Sequence, residues 1–168
     1  MNRLSARVFL SFILTLLILS FPISLASCGK SEAPVPCRSV LLSMTEAETD
    51  LPAGRTYCAI GGGERDQLSD ALADALLGSS ASVRTCWLDY ALFLSLGETP
   101  CEFAVILCNS RDAAEDTARL FSARLHLIRA ANVGASTEGT VTLRGNYVLY
   151  ILSSDPETAL RMAKSQIG

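Results

Sequence analysis

The stretch EFAVILCNSRDAAEDTARLFSARLHLIRAA, residues 102–131, decides the fold. Its first seven residues, Glu102 to Cys108, form a short apolar run rich in β-formers. Phe103 to Leu107 contains no polar residue, so the run predicts a central strand covered on both faces. Ser110 comes next as a helix N-cap, with Asp112 in the positive first turn. From there Ala114, Ala118, Phe121, Leu125 and Ile128 recur at helical spacing and predict a core-facing stripe to about Ala131. Glu115, Arg119, Ser122, His126 and Arg129 fall on the opposite, solvated face, with Glu115 and Arg119 spaced for an i,i+4 ion pair. A strand followed by a long amphipathic helix calls for a sheet against which that helix can pack.

Working outward supplies the sheet. Upstream, Trp87 to Leu96 is a second apolar run, joined to Glu102 by the turn-rich Gly97-Glu98-Thr99-Pro100, a loop of hairpin length. Arg55 to Ile60 reads as a shorter strand ended by Gly61-Gly62-Gly63. A helix is then expected from about Glu64 to Leu77, with Leu68, Leu72, Ala75 and Leu76 on one face, stopped by Gly78-Ser79-Ser80. Downstream of the long helix, Asn132 to Gly139 reads as loop. Thr140 to Leu143 and Tyr147 to Leu152 are strand runs about Gly145-Asn146, whose residues tolerate positive φ and suit a tight hairpin turn. Asp155 caps a last helix with Pro156 at N1, where its missing N–H costs nothing; that helix presents Leu160, Ala163 and Ile167. The order β-α-β-β-α-β-β-α predicts an α+β fold, an antiparallel sheet with helices packed on one face. A ferredoxin-like arrangement is the closest simple template.

The beginning of the chain carries an address. Arg3 and Arg7 precede the apolar Val8 to Leu19, Pro22 breaks any helix, and Leu25-Ala26-Ser27-Cys28 comes directly after. This is the form of a secretory signal ending in a lipobox. The reading makes residues 1–27 a signal peptide and Cys28 the acylated N-terminus, its thiol carrying a diacylglyceryl thioether with acyl chains such as palmitate. Two or more chains anchor stably where one would not. The expected location is the extracytoplasmic face of the cell membrane. Residues 28–52 are expected to form the lipidated Cys and a tether rich in polar residues and proline, with a short helix near Ser43 to Glu48 as the other reading. Residues 53–168 are expected to form one α+β domain. An uncleaved membrane anchor and a plain secretory signal are the competing readings of residues 1–28.

Composition limits what the exported part does. From Cys28 to Gly168 the chain has 141 residues, and with Arg3 and Arg7 removed 12 Lys and Arg face 17 Asp and Glu, a net charge of −5. Nucleic-acid binding needs clustered phosphate-neutralising cations, and this balance argues against it and against charge-driven binding to an anionic lipid surface. Cys37, Cys58, Cys86, Cys101 and Cys108 are an odd set with no Cys-x-x-Cys spacing, and His126 is the only histidine. A structural zinc site is therefore not expected, and no other metal or cofactor is implied. The pairing of the five thiols stays open, except that Cys101 and Cys108 would stand roughly 23 Å apart along one strand.

The candidate sites each meet a simpler reading. Gly61-Gly62-Gly63 before a helix resembles a phosphate cradle, but no Lys-Ser/Thr comes after it and Glu64 and Asp66 would repel an anion. His126 falls on a polar helix face, and no Gly-x-Ser-x-Gly elbow accompanies it. Arg124 lies inside the apolar arc of its helix, between Leu120 and Leu127, where it either snorkels past the core edge or pairs with a buried acid. Tyr147 and Tyr150 sit in a strand and suit packing. No residue is assigned a catalytic role.

The strand EFAVILC, the helix opening NSRDAAEDTARLF and the run Arg144-Gly145-Asn146-Tyr147-Val148-Leu149-Tyr150-Ile151-Leu152 before an Asp-capped helix resemble a domain of unknown function in small lipoproteins of Gram-positive anaerobes. The similarity covers roughly Trp87 to Ile167, and Gly145-Asn146-Tyr147-Val148 carries most of it. The chain departs from that pattern in its number of cysteines and a shortened loop after the long helix. The resemblance implies an α+β domain on an extracytoplasmic anchor and transfers no catalytic residue. The expected function is a non-enzymatic binding or accessory module for a ligand or protein partner the sequence does not name. The other reading is a small cell-envelope hydrolase whose site is assembled from scattered residues.

Overall fold

The computed structural model describes residues 33–78, 81–132 and 138–168. Cys28 and the apolar run before it lie outside the described residues, as do 133–137 of the expected loop and Ser79-Ser80. Residues Pro34 to Gly168 form one compact unit.

Strand β3 (Glu102–Cys108) is buried at every position, as its wholly apolar centre requires. It pairs antiparallel on one side with β2 (Trp87–Ser95) and on the other with β5 (Tyr147–Ser153). β1 (Gly54–Cys58) pairs with β2 and β4 (Glu138–Arg144) with β5, so the sheet runs β1-β2-β3-β5-β4 and is antiparallel throughout. The long helix α3 (Arg111–Ala131) links β3 to β4, with β5 between them. This split β-α-β arrangement is the element shared with the ferredoxin-like template.

The α+β class and the antiparallel sheet agree with the sequence reading. The helices, however, cover both faces rather than one. Phe121 and Leu125 of α3 and Leu76 and Leu77 of α2 (Asp70–Leu77) pack on the face formed by Leu92, Ala104, Ile106, Val148 and Tyr150. On the other face Phe93, Phe103, Val105, Leu149 and Ile151 meet α1 (Cys37–Glu46) and α4 (Pro156–Ile167). The physical reason is the composition of β3 and β5. A strand apolar at successive positions exposes hydrocarbon on one side unless both are covered.

The second cover includes sequence expected to be tether. Cys37 to Glu46 is helical and buries Cys37, Val40, Leu41 and Met44 at i, i+3, i+4 and i+7. The domain therefore begins near Pro34 rather than at residue 53. Pro34 and Pro36 suggest a tether, but Pro36 occupies the N-cap position, where proline does not interrupt the helix after it.

Local signals elsewhere act as read, with three exceptions. Ser110 Oγ accepts from Ala113 N at 3.2 Å and Asp155 Oδ1 from Thr158 N at 3.0 Å. The β4–β5 hairpin turns at Gly145-Asn146, but only Gly145 has positive φ, at 56°. The helix expected from Glu64 breaks instead into a single 3₁₀ turn (Glu64–Asp66) and α2, because Ser69 starts a new helix by accepting from Leu72 N. Ala73, not Ala75, then faces the core. Glu115 pairs with Arg111 at 3.1 Å and Arg119 with Asp116, so the expected Glu115–Arg119 bridge is not formed.

Candidate functional site

The most concentrated buried polar group lies where β3, β5, α2 and α3 meet. Glu102 opens β3 on the α3 side and is buried. Arg124 arrives from the apolar arc of α3. Its Nε donates to Glu102 Oε2 at 2.7 Å and its second terminal nitrogen donates to Oε1, a two-pronged match. Tyr150 donates its hydroxyl to the same Oε2 at 2.8 Å, and Arg124 also reaches the Leu76 carbonyl at 3.3 Å, near the end of α2. The Arg124 and Glu102 side chains are 19% and 10% exposed. Burial alone would make Arg124 easier to deprotonate, but the Glu102 hydrogen bonds and charge more than offset it and raise its pKa. Burial and the neighbouring Glu102 carboxylate push the Tyr150 phenol up as well. These groups bond to one another inside the protein, so the network is a brace between layers. Of the two sequence readings of Arg124, pairing with a buried acid is the one realised.

A second buried acid does local work. Asp89, 7% exposed, sits beside a bulge in β2. Its Oδ2 accepts from Cys37 N at 2.8 Å and its Oδ1 from Tyr90 N at 2.8 Å. Pro36 offers no side-chain cap, so Asp89 of β2 supplies the acceptor that the first turn of α1 lacks. Nearby, the Tyr147 hydroxyl donates to the Val35 carbonyl at 2.8 Å and fixes the approach to that helix. Tyr147 and Tyr150 are thus packing residues with a bonded tip.

Three of the thiols, Cys37, Cys101 and Cys108, are held protonated. All five described cysteines are free thiols, and only Cys86 is not buried. Burial pushes Cys37 up, with Asp89 adding to it. Burial pushes Cys101 up to about 12, with the Glu48 and Glu102 carboxylates contributing. Cys108 is raised by burial and lies 3.6 Å from the Thr117 hydroxyl, which accepts the Trp87 indole N–H at 3.1 Å. A thiol kept protonated is a poor nucleophile. His126 is exposed on α3.

The glycine run has a structural explanation. Gly61 has φ of 80°, and a Cβ at Gly62 would lie 2.7 Å from Cys58 Sγ. The next element is one 3₁₀ turn, and the Asp66 carboxylate already accepts from Gly63 N at 3.0 Å. An acid therefore stands where a phosphate would. Among the described residues, two buried polar atoms lack a partner, Glu48 Oε2 and Ser153 Oγ. Glu48 takes a hydrogen bond from Ser154 through its other oxygen. Among the described residues no cluster of three or more His, Cys, Asp or Glu could hold a metal ion, and no helix is long and apolar enough to cross a membrane.

Sequence reasoning missed Glu102 and Asp89. Both carried a signal: each is a lone acid within or at the edge of an apolar strand run. Comparison with protein-family models, with curated proteins and with solved structures finds no match.

Proposed function

We propose that the protein is a membrane-anchored extracytoplasmic lipoprotein whose folded domain is a non-enzymatic binding or accessory module. Membership of the lipoprotein family of unknown function that residues 87–167 resemble belongs to the same proposal. The observation that carries it is Leu25-Ala26-Ser27-Cys28 directly after a short apolar segment with two preceding arginines. The module half is supported by how the domain engages its polar groups. Glu102, Arg124 and Tyr150 bond to one another, Asp89 caps a helix, and the thiols at 37, 101 and 108 are held protonated. Catalytic groups are ordinarily left free to meet a substrate and tuned towards the working pH.

Metabolic labelling with an alkyne-tagged fatty acid tests the anchor. Wild type should take up label and partition into detergent, whereas Cys28→Ala should stay unlabelled and at precursor size. Equal labelling of the two proteins would refute lipidation at Cys28. A hydrolytic activity that co-purifies with the protein and disappears in His126→Ala would refute the module reading in favour of a cell-envelope hydrolase.

A further inference from the structure

Strand β4 is an edge of the sheet, and its sequence is self-complementary. Arg144 and Tyr147 flank the Gly145-Asn146 turn and so form a hydrogen-bonded pair. Alternation then assigns the backbone groups of Glu138, Thr140, Thr142 and Arg144 to β5 and turns those of Gly139, Val141 and Leu143 outward. Among the described residues, only Arg129 bonds these outward groups, donating to the Gly139 carbonyl at 2.8 Å. Sheet edges are commonly blunted by a proline, a bulge or a charge in mid-strand. β4 reads Glu138-Gly139-Thr140-Val141-Thr142-Leu143-Arg144, pairs with β5 without a register shift and has none of these. The other edge, β1, is shorter, and its Arg55 donates to the Arg65 carbonyl of the adjacent 3₁₀ turn.

A strand laid antiparallel on this edge must set outward residues opposite outward residues, since only they have free backbone groups. For a second copy of β4, a two-fold axis at Val141 does this over the whole strand. Gly139 then faces the partner's Leu143, Val141 faces the partner's Val141, and each such pair can exchange both backbone hydrogen bonds. The Gly139 carbonyl has a second acceptor position beside its Arg129 bond. Between these lie the close pairs whose side chains meet. There Thr140 stands opposite the partner's Thr142, and Glu138 opposite the partner's Arg144, each repeated by the symmetry. Glu138 and Arg144 are exposed and are the only charged residues of β4. Moving the axis to Thr140 or Thr142 shortens the overlap and sets one of these charges opposite a threonine, so both ion pairs are lost. β1 has no such match, because Arg55 is its only charge. We infer that β4 is a homodimer interface, where two copies of this chain join their sheets by antiparallel β4–β4 pairing about Val141. The inference does not draw on the lipoprotein reading.

Light scattering of the full-length chain in detergent, over a range of protein concentrations, tests it. Wild type should reach the protein mass of a dimer, and hydrogen exchange in residues 139–143 should slow as the dimer forms. Glu138→Arg sets arginine opposite arginine twice, and Arg144→Glu sets glutamate opposite glutamate twice. Each single variant should weaken association by roughly tenfold or more. An equimolar mixture of the two should associate like wild type, because each copy supplies the charge the other lacks. Glu138→Arg combined with Arg144→Glu in one chain should do the same. Both side chains are exposed at the ends of the strand, and an unchanged melting temperature checks that the variants keep the fold. A monomer at every concentration overturns the interface and leaves the edge to a strand of another protein. A dimer indifferent to the single variants overturns it too, as do losses that the mixture fails to restore or exchange protection confined to β1.

Discussion

Glu102→Ala would test whether the Glu102–Arg124–Tyr150 brace holds the layers together. The carboxylate accepts three hydrogen bonds, two from Arg124 and one from Tyr150. Removing it strands a guanidinium and a phenol at a site where neither is well hydrated. Deleting one partner of a buried ion pair costs about 3–5 kcal/mol, because the surviving charge is left uncompensated. Arg124 retains 19% side-chain exposure and keeps the Leu76 carbonyl, which places the loss at the lower end, about 3 kcal/mol. For a domain of this size that corresponds to a fall of roughly 10 °C in Tm. Thermal unfolding and urea titration would measure it. The companion Glu102→Leu with Arg124→Met replaces the pair by hydrocarbon and should recover most of the loss, since a buried pair offsets little more than its own desolvation. The double-mutant cycle then isolates the coupling. A Glu102→Ala cost below about 1 kcal/mol, or a double variant as unstable as the single one, would mean the network does not brace the layers.

Three further outcomes are expected. Gly145→Val should cost on the order of 1 kcal/mol or more, through its φ of 56° and not through a clash, since nothing lies within 4 Å of a Cβ there; an unmoved denaturation midpoint would contradict the turn. Asp89→Ala should cost about 2 kcal/mol by uncapping α1 and leaving two amides without their acceptor, with faster hydrogen exchange in residues 37–40 as its signature. Stability should also fall in alkali. Cys101 ionises at about 12 when folded against an ordinary 9.0, so its contribution is complete below pH 9 and is lost as the pH rises towards 12. Cys101→Ala should flatten that slope, and a urea midpoint constant from pH 9 to 12 would exclude the effect.

How much of the fold was legible in the sequence depended on whether a residue's partner was near along the chain. The caps at Ser110 and Asp155 and the turn at Gly145 are short-range devices, and each was legible. The apolar centre of β3 called for cover on both faces, yet the helix supplying much of that cover, α1, lay in a segment whose prolines suggested a tether. Its stripe of Val40, Leu41 and Met44 was present but brief. Its cap was invisible, because the acceptor comes from Asp89, far along the chain. Likewise the apolar arc around Arg124 called for a buried acid as one of two solutions, but nothing in residues 111–131 could say that the acid was Glu102.

Net charge likewise hides an arrangement that depends on partners distant along the chain. Net charge sums over the whole domain, whereas anything approaching the surface responds to the charges within about a Debye length of it. Antiparallel pairing sends the N-termini of β2 and β5 and the C-termini of β1, β3 and β4 to one end. It thereby gathers Arg38, Arg111 and Arg144 from distant parts of the sequence beside Glu64, Asp66 and Asp112, while the acids near the end of α1 and the start of α4 collect at the other end with few cations. A chain acidic on average can therefore carry one end that is nearly neutral and one that is strongly acidic.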